Sequence, residues 1–280
     1  VRDLPRLHVG CAMWTHKAWD FSAAAPAQER LRAYAEWCDA VEGNTTFYAT
    51  PSRETVAGWA RQTPADFRFV VKLPKPVTHE FRLGAGGDRA LAGFLHAIEP
   101  LGSRAHALWI QLPGSFGPGD LDVLAGFLRR LPAAYEYAVE VRHPAFFREP
   151  AALEGILEKA GVEWVPFDTT VMFASPPTSD AERDAWEKKP RMPLRERALT
   201  ARPIVRYLGR DDSARTVEGW QRWVEVVAGW LREGRSPTVF VHTPDNNEAP
   251  GLARRFHEEV RARTPGLPPL PEPTGPLTLF

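Results

Sequence analysis

Short apolar runs recur along the chain, and all but the first end in a polar or charged side chain. They are Leu7 to Cys11, Ala40-Val41-Glu42, Phe69-Val70-Val71-Lys72, Leu108-Trp109-Ile110-Gln111, Ala138-Val139-Glu140, Val165-Pro166-Phe167-Asp168, Ile204-Val205-Arg206 and Val239-Phe240-Val241-His242. Runs this short read as buried strands. Between them lie stretches with helical spacing, such as Leu31, Tyr34, Ala35 and Cys38, or Trp220, Trp223, Val227 and Trp230. Strands alternating with helices predict an α/β fold with a parallel sheet. Eight strands predict a single (β/α)8 TIM barrel, whose functional groups gather at the carboxyl ends of the strands.

The fifth run, continued through Val141-Arg142-His143-Pro144, shows why those ends matter. In a strand, Glu140 and Arg142 share one face while Val139 and Val141 share the other. A carboxylate and a guanidinium side by side inside a barrel are costly unless paired. This pattern predicts a strand tip opening into a site.

Signals between the strands are conventional. Ser52 is placed to cap a helix, Asp88 and Asp120 to start two more, and Gly161 to end another. Pro176 to Arg202 is polar, broken by Pro190 and Pro193, and too long for a plain loop after strand six. It reads as an inserted lid, a short helical insertion or a mobile surface segment. The barrel is expected over residues 1–264, and residues 265–280, with six prolines, as a tail packed on it or extending from it.

Composition narrows the function classes. The 280 residues carry 35 basic and 35 acidic side chains, a balance that argues weakly against a protein whose affinity comes mainly from phosphate neutralisation. From Asp180 to Arg210, however, nine Lys or Arg stand against five Asp or Glu. Cys11 and Cys38 make no disulfide framework, and no leader or membrane span is evident, so a cytoplasmic location is expected. Gly114-Ser115-Phe116-Gly117-Pro118-Gly119 lacks the Lys-Ser/Thr ending of a phosphate loop, and no Gly-x-Gly-x-x-Gly follows a strand. No cofactor is expected. Oligomeric state is not readable from the chain.

Ordered pieces of the sequence resemble the domain-of-unknown-function 72 (YecE-like) family. They are Val9-Gly10-Cys11-Ala12-Met13-Trp14 with Trp19, Val41-Glu42-Gly43-Asn44-Thr45-Thr46-Phe47-Tyr48, Trp59, Thr63-Pro64, Phe67-Arg68-Phe69, Lys72 and Thr78-His79-Glu80. Gln111-Leu112-Pro113, Ala138-Val139-Glu140-Val141-Arg142-His143 and His242-Thr243-Pro244-Asp245-Asn246 with Ala249-Pro250 complete them. The resemblance runs over about residues 8 to 258 and implies one barrel of the triosephosphate-isomerase type, with no particular reaction. One departure stands out. The family's Arg-x-His-Gly after strand seven is here Arg206-Tyr207-Leu208-Gly209, so a histidine role there is either absent or supplied elsewhere, with His242 the candidate.

Glu42, Glu140, Lys72 and His79 are the candidate catalytic groups. Glu42 and Glu140 suit acid–base work, or else they balance Lys72, Arg142 and Arg206 in a buried ion network. Arg142 beside Glu140 would keep that carboxylate ionised and leave Glu42 as proton donor. Lys72 is an anchor, a counter-ion or a Schiff-base amine. Trp14, Asn44, Thr46, Tyr48, Gln111, Arg142, His143, Asp168, Arg206, His242, Asp245 and Asn246 are the candidate substrate-binding groups. An anion is expected between Arg206 and the segment from His242 to Asn247, with Arg210 beside it. Glu42, His79, Glu140, Asp168, His242 and Asp245 are metal-ligand types, but they form no local motif and stand among cations, so no metal is expected. The leading expectation is a metal-independent hydrolase, isomerase or lyase acting on a small polar or anionic, sugar-like substrate. The alternative is a nucleic-acid binder or a metal-using phosphodiesterase resembling barrel repair endonucleases, motivated by the basic 180–210 stretch.

Overall fold

In the computed structural model, residues 5–273 are described. Nine strands form one all-parallel, curled sheet: β1 (His8–Cys11), β2 (Ala40–Gly43), β3 (Arg68–Lys72), β4 (Ala105–Gln111), β5 (Tyr137–Glu140), β6 (Glu163–Trp164), β7 (Phe167–Asp168), β8 (Ile204–Leu208) and β9 (Thr238–His242). Their order is β6-β5-β4-β3-β2-β1-β9-β8-β7.

The expected eight strands become nine because the sixth run is divided. β6 pairs with β5 and β7 pairs with β8. Between them, Val165 donates its amide to the Val139 carbonyl at 2.9 Å, and Pro166 accepts from the Arg206 amide at 3.0 Å. Pro166 has no N–H to offer a ladder, so the pairing changes partner there.

Alternation along the strands builds two layers on the inner face. Ala40, Val70, Ala107, Trp109, Ala138, Val165, Ile204 and Phe240 form an apolar plug. Two residues further along their strands stand Glu42, Lys72, Gln111, Glu140, Arg206 and His242, all buried. The opposite parity, Val41, Val71, Ile110, Val139, Val205 and Val241, joins the main core against the helices. β1 lies tight on β2 because position 10 is glycine: a Cβ there would sit 2.0 Å from the Ala40 carbonyl oxygen. Beside it, the Tyr34 hydroxyl accepts from the Cys11 amide and donates to the Ala40 carbonyl, each at 2.8 Å.

Helices form largely where the spacing predicts. Ser52 caps Arg53–Gln62 by accepting from the Thr55 amide, and Gly161 ends Ala151–Ala160 with φ of 66°. Asp120 instead accepts from the Gly117 amide. Trp220 of the tryptophan stripe stands between the helices Ser213–Gly219 and Gln221–Arg232, the rest of the stripe lies in the second, and all three indoles are buried in the core. Among the described residues no helix is long and apolar enough to cross a membrane. Leu267 and Leu270 are buried in the main core, while residues 274–280 of the proline-rich tail lie outside the described residues.

The 176–202 insertion contains the helix Asp180–Lys188, capped by Ser179. Glu182 in its first turn forms a fully buried pair with Arg210 at 2.6 Å. Met192, Ala185, Phe167, Met172 and Leu208 make a small satellite core beneath it.

Candidate functional site

Six strand ends converge on one polar layer. Glu42, fully buried, is its hub. Arg206 Nη2 lies 3.0 Å and Lys72 Nζ 3.4 Å from Glu42 Oε1, and His242 Nε2 lies 2.9 Å from Oε2. Arg206 also reaches Glu140 at 3.8 Å, and Arg142 Nε donates to Glu140 at 3.0 Å. Lys72 donates to Gln111 Oε1 at 2.8 Å. Trp109 lies in the apolar layer below, its ring centroid 4.8 Å from Lys72 Nζ and 5.6 Å from the Arg206 guanidinium. Buried charge persists here because each group has an opposite partner.

The electrostatics assign roles. Burial alone would raise the Glu42 carboxyl, but Arg206, His242 and Lys72 outweigh it and hold Glu42 well below the usual carboxylate range. Glu42 is therefore ionised at neutral pH, which corrects its expected role as proton donor. Burial, reinforced by Arg206, lowers the Lys72 amine to about 8. Burial lowers His242 to about 4, so its ring is neutral and donates Nε2–H to Glu42. Of these groups, Lys72 is the one poised to change protonation near neutrality.

Above the layer opens a cavity of about 330 Å³. Lys72, Gln111, Arg142, Arg206 and His242 form its floor, and Asn44, Phe47, Tyr48 and Asn246 line its sides. Glu42 and Glu140 lie behind the cations. Asn44 is held by its Nδ2 donating to the Ala12 carbonyl at 3.0 Å, and Tyr48 is 80% exposed at the rim.

Six expected binding or catalytic residues are not brought to this cavity. Trp14 packs edge-on against Trp59 at 5.2 Å. Thr46 donates its hydroxyl to the Lys72 carbonyl at 2.7 Å and so fixes the loop backbone. His79 stands behind Phe47, 2.8 Å from the Thr78 hydroxyl; burial first, then Arg142, keep its pKa low. His143 accepts from the Ala145 amide at 3.2 Å. Asp168 points outward, where Oδ2 accepts from Trp223 Nε1 at 2.7 Å. Asp245 closes its own turn by accepting from Thr243 and Asn247. Arg210, expected beside Arg206, is consumed by Glu182, Ser175 and Pro176 in the insertion.

The cavity wall also contains residues that the sequence did not single out. Lys188, Lys189 and Pro190 of the insertion, together with Ala12, Met13 and Phe167, line it. The signals were present: an unusually long segment after strand six, and its excess of basic residues. Among the described residues no three His, Cys, Asp or Glu side chains come together to hold a metal ion; Glu42 and His242 meet, with Arg206 and Lys72 beside Glu42.

Comparison with known proteins agrees with this architecture. The chain is 36% identical over 277 residues to UPF0759 protein YecE of Escherichia coli K12 and of O157:H7, covering 98% of this chain and all of each relative. A solved DUF72 protein of Thermotoga maritima superposes with a TM-score of 0.67 at 24% identity, covering 92% of this chain and 98% of that one. One from Enterococcus faecalis gives 0.66 at 17% identity, covering 92% and 94%. The family model described as protein of unknown function DUF72 matches residues 8–275, and the chain belongs to that family.

Proposed function

We propose that this protein is an acid–base enzyme acting on a small polyol that carries an anionic group, with Lys72 as the proton-transfer residue. The observation that carries the reading is the Lys72 amine, lowered to about 8 at the floor of the cavity and held by Gln111 and Glu42. An amine with that value gives a proton when charged and takes one when neutral, near working pH. Arg142 and Arg206 beside it attract the anionic group, and Asn44 and Gln111 offer amides to hydroxyls. Glu42 keeps Arg206 and His242 oriented without itself exchanging protons. The chemistry that fits is proton abstraction next to a carbonyl, as in isomerisation or elimination.

The same reading takes residues 163–168 as one interrupted strand. The sheet is then an eight-stranded barrel of the triosephosphate-isomerase type, and these groups ring its carboxyl-end mouth. The nucleic-acid reading is weaker, because many basic side chains of the 180–210 stretch are neutralised. Arg195 and Arg197 pair with Glu154, Arg202 with Glu136 and Arg210 with Glu182.

The test is proton exchange. Sugar phosphates and sugar acids are incubated with the protein in deuterated water, and deuterium incorporation at carbon is followed by NMR. The expected result is exchange that rises with pH, levels above about 8, and is lost in Lys72→Gln with the fold retained. No exchange by any member of the panel, with Lys72 titrating near its ordinary value, would overturn the reading.

A further inference from the structure

The helix Asp180–Lys188 ends at the cavity mouth, and the chain beyond it is pinned. Thr169 Oγ1 donates to the Pro190 carbonyl at 3.1 Å and accepts from the Met192 amide at 3.0 Å. Met192 is buried in the satellite core, and the Arg191 guanidinium lies 4.9 Å from the rings of both Phe173 and Trp186. Lys189 is thus carried on an ordered arm. It lines the cavity, where burial first and then Arg206 lower its amine from the ordinary lysine value while Glu42 and Glu140 oppose them.

The two insertion lysines differ. Lys188 is paired with Asp184 one turn earlier. Lys189 has no carboxylate within ion-pair distance among the described residues. In the floor, three cations (Lys72, Arg142 and Arg206) face two carboxylates, leaving one uncompensated positive charge. Lys189 raises the excess to two. A carboxylate ligand carries one negative charge, whereas a phosphate monoester carries about −1.5 to −2 at neutral pH.

We infer that Lys189 is a specificity residue that sets the site for a phosphate monoester over a carboxylate. This rests on the small-anion reading above and names its substrate class. The insertion then serves as a fixed arm that completes the anion site from outside the sheet.

Glucose 6-phosphate and glucuronate are suitable probes: both are six-carbon polyols, and they differ in the terminal charge. Calorimetry at neutral pH and low salt should show the wild type binding glucose 6-phosphate about ten-fold more tightly than glucuronate. Lys189→Ala should remove most of that preference and leave glucuronate within about two-fold of its wild-type affinity. Lys189→Arg should keep the preference, and Lys159→Ala, at an exposed lysine outside the cavity lining, should leave both ligands unchanged. Thermal unfolding of the variants checks that the fold is intact. Equal binding of the two ligands by the wild type, or an equal loss of both in Lys189→Ala, overturns this inference and leaves the anionic-polyol reading standing. If neither ligand binds the wild type, both fall.

Discussion

At the amino-terminal end of the sheet, Arg68 Nη1 donates to the Thr238 hydroxyl at 2.8 Å and to the Ser236 carbonyl at 3.1 Å, and Asp39 accepts from the Val9 amide at 2.8 Å. His8 and His106 are buried nearby, and burial drives both well below the ordinary imidazole value. At the carboxyl end, Arg206 reaches two carboxylates and shares Glu42 with Lys72 and His242 beneath an open cavity. Both ends bury charge. One end spends its charged groups on backbone and hydroxyl partners that knit strand starts together. The other turns its charged groups toward one another and toward space. Buried charge alone therefore does not mark a site in this molecule; the kind of partner does.

The largest effect that could break this comparison comes from the two arginines. Arg206→Met leaves Glu42 buried without its principal counter-charge and should destabilise the fold by about 3–5 kcal/mol. Arg68→Met removes hydrogen bonds to neutral groups and should cost about 1–2 kcal/mol. Urea unfolding of both variants reads the difference. Equal losses would mean that the two ends are energetically alike. Adding Glu42→Gln to Arg206→Met should recover part of the loss, because it removes the stranded charge.

Acid titration sharpens the same contrast, because the two buried carboxyls shift in opposite directions. Burial raises Asp39 from 3.8 to about 6. Its contribution to stability is full below about 3.8 and is lost as pH rises through about 6. Glu42 is held below its ordinary 4.5 by Arg206, His242 and Lys72, which outweigh its burial. Its contribution is full above about 4.5 and is lost as pH falls toward the lowered value. Unfolding measured from about pH 2 to about pH 7 should show Asp39→Asn flattening the upper window, with a change of about 1–3 kcal/mol. Glu42→Gln should flatten the lower window and be the less stable variant at neutral pH. If both substitutions shifted the profile the same way, the assignment of partners at one end would be wrong.

Much of the polar layer was readable in the chain, for a physical reason. A side chain at a strand end has its direction fixed by the two-residue period, so Glu42, Lys72, Gln111, Glu140, Arg206 and His242 were found together. Loop residues have no such constraint. Trp14, His79, His143 and Asp245 were plausible by chemistry, yet each turns to a local partner. Lys189 was hidden for the opposite reason: its placement depends on Thr169 and Met192, contacts that no local pattern announces. Strand six was misread because Val165-Pro166-Phe167-Asp168 looks continuous. The missing N–H of Pro166 divides it into β6 and β7, and alternation from the inward-facing Val165 puts Phe167, not Asp168, toward the cavity.

That misreading supplies the smallest and most selective prediction. Asp168 looks like a member of the strand-end layer, but its Oδ1 accepts from the Thr170 amide and hydroxyl, at 2.8 and 2.7 Å, and its Oδ2 from Trp223 Nε1 at 2.7 Å. In Asp168→Asn the amide oxygen can keep the Thr170 bonds. The NH2 group must then face the indole N–H, donor against donor. The cost should be about 1–2 kcal/mol of stability. Trp223→Phe leaves the same oxygen short of a partner and also opens a cavity where the buried indole stood, so it should cost more, about 2–4 kcal/mol. Neither change touches the cavity floor, so anion affinity should stay within about two-fold of wild type. A ten-fold loss of glucose 6-phosphate binding in Asp168→Asn, with stability unchanged, would place Asp168 in the site after all and put the face assignment of β7 in error.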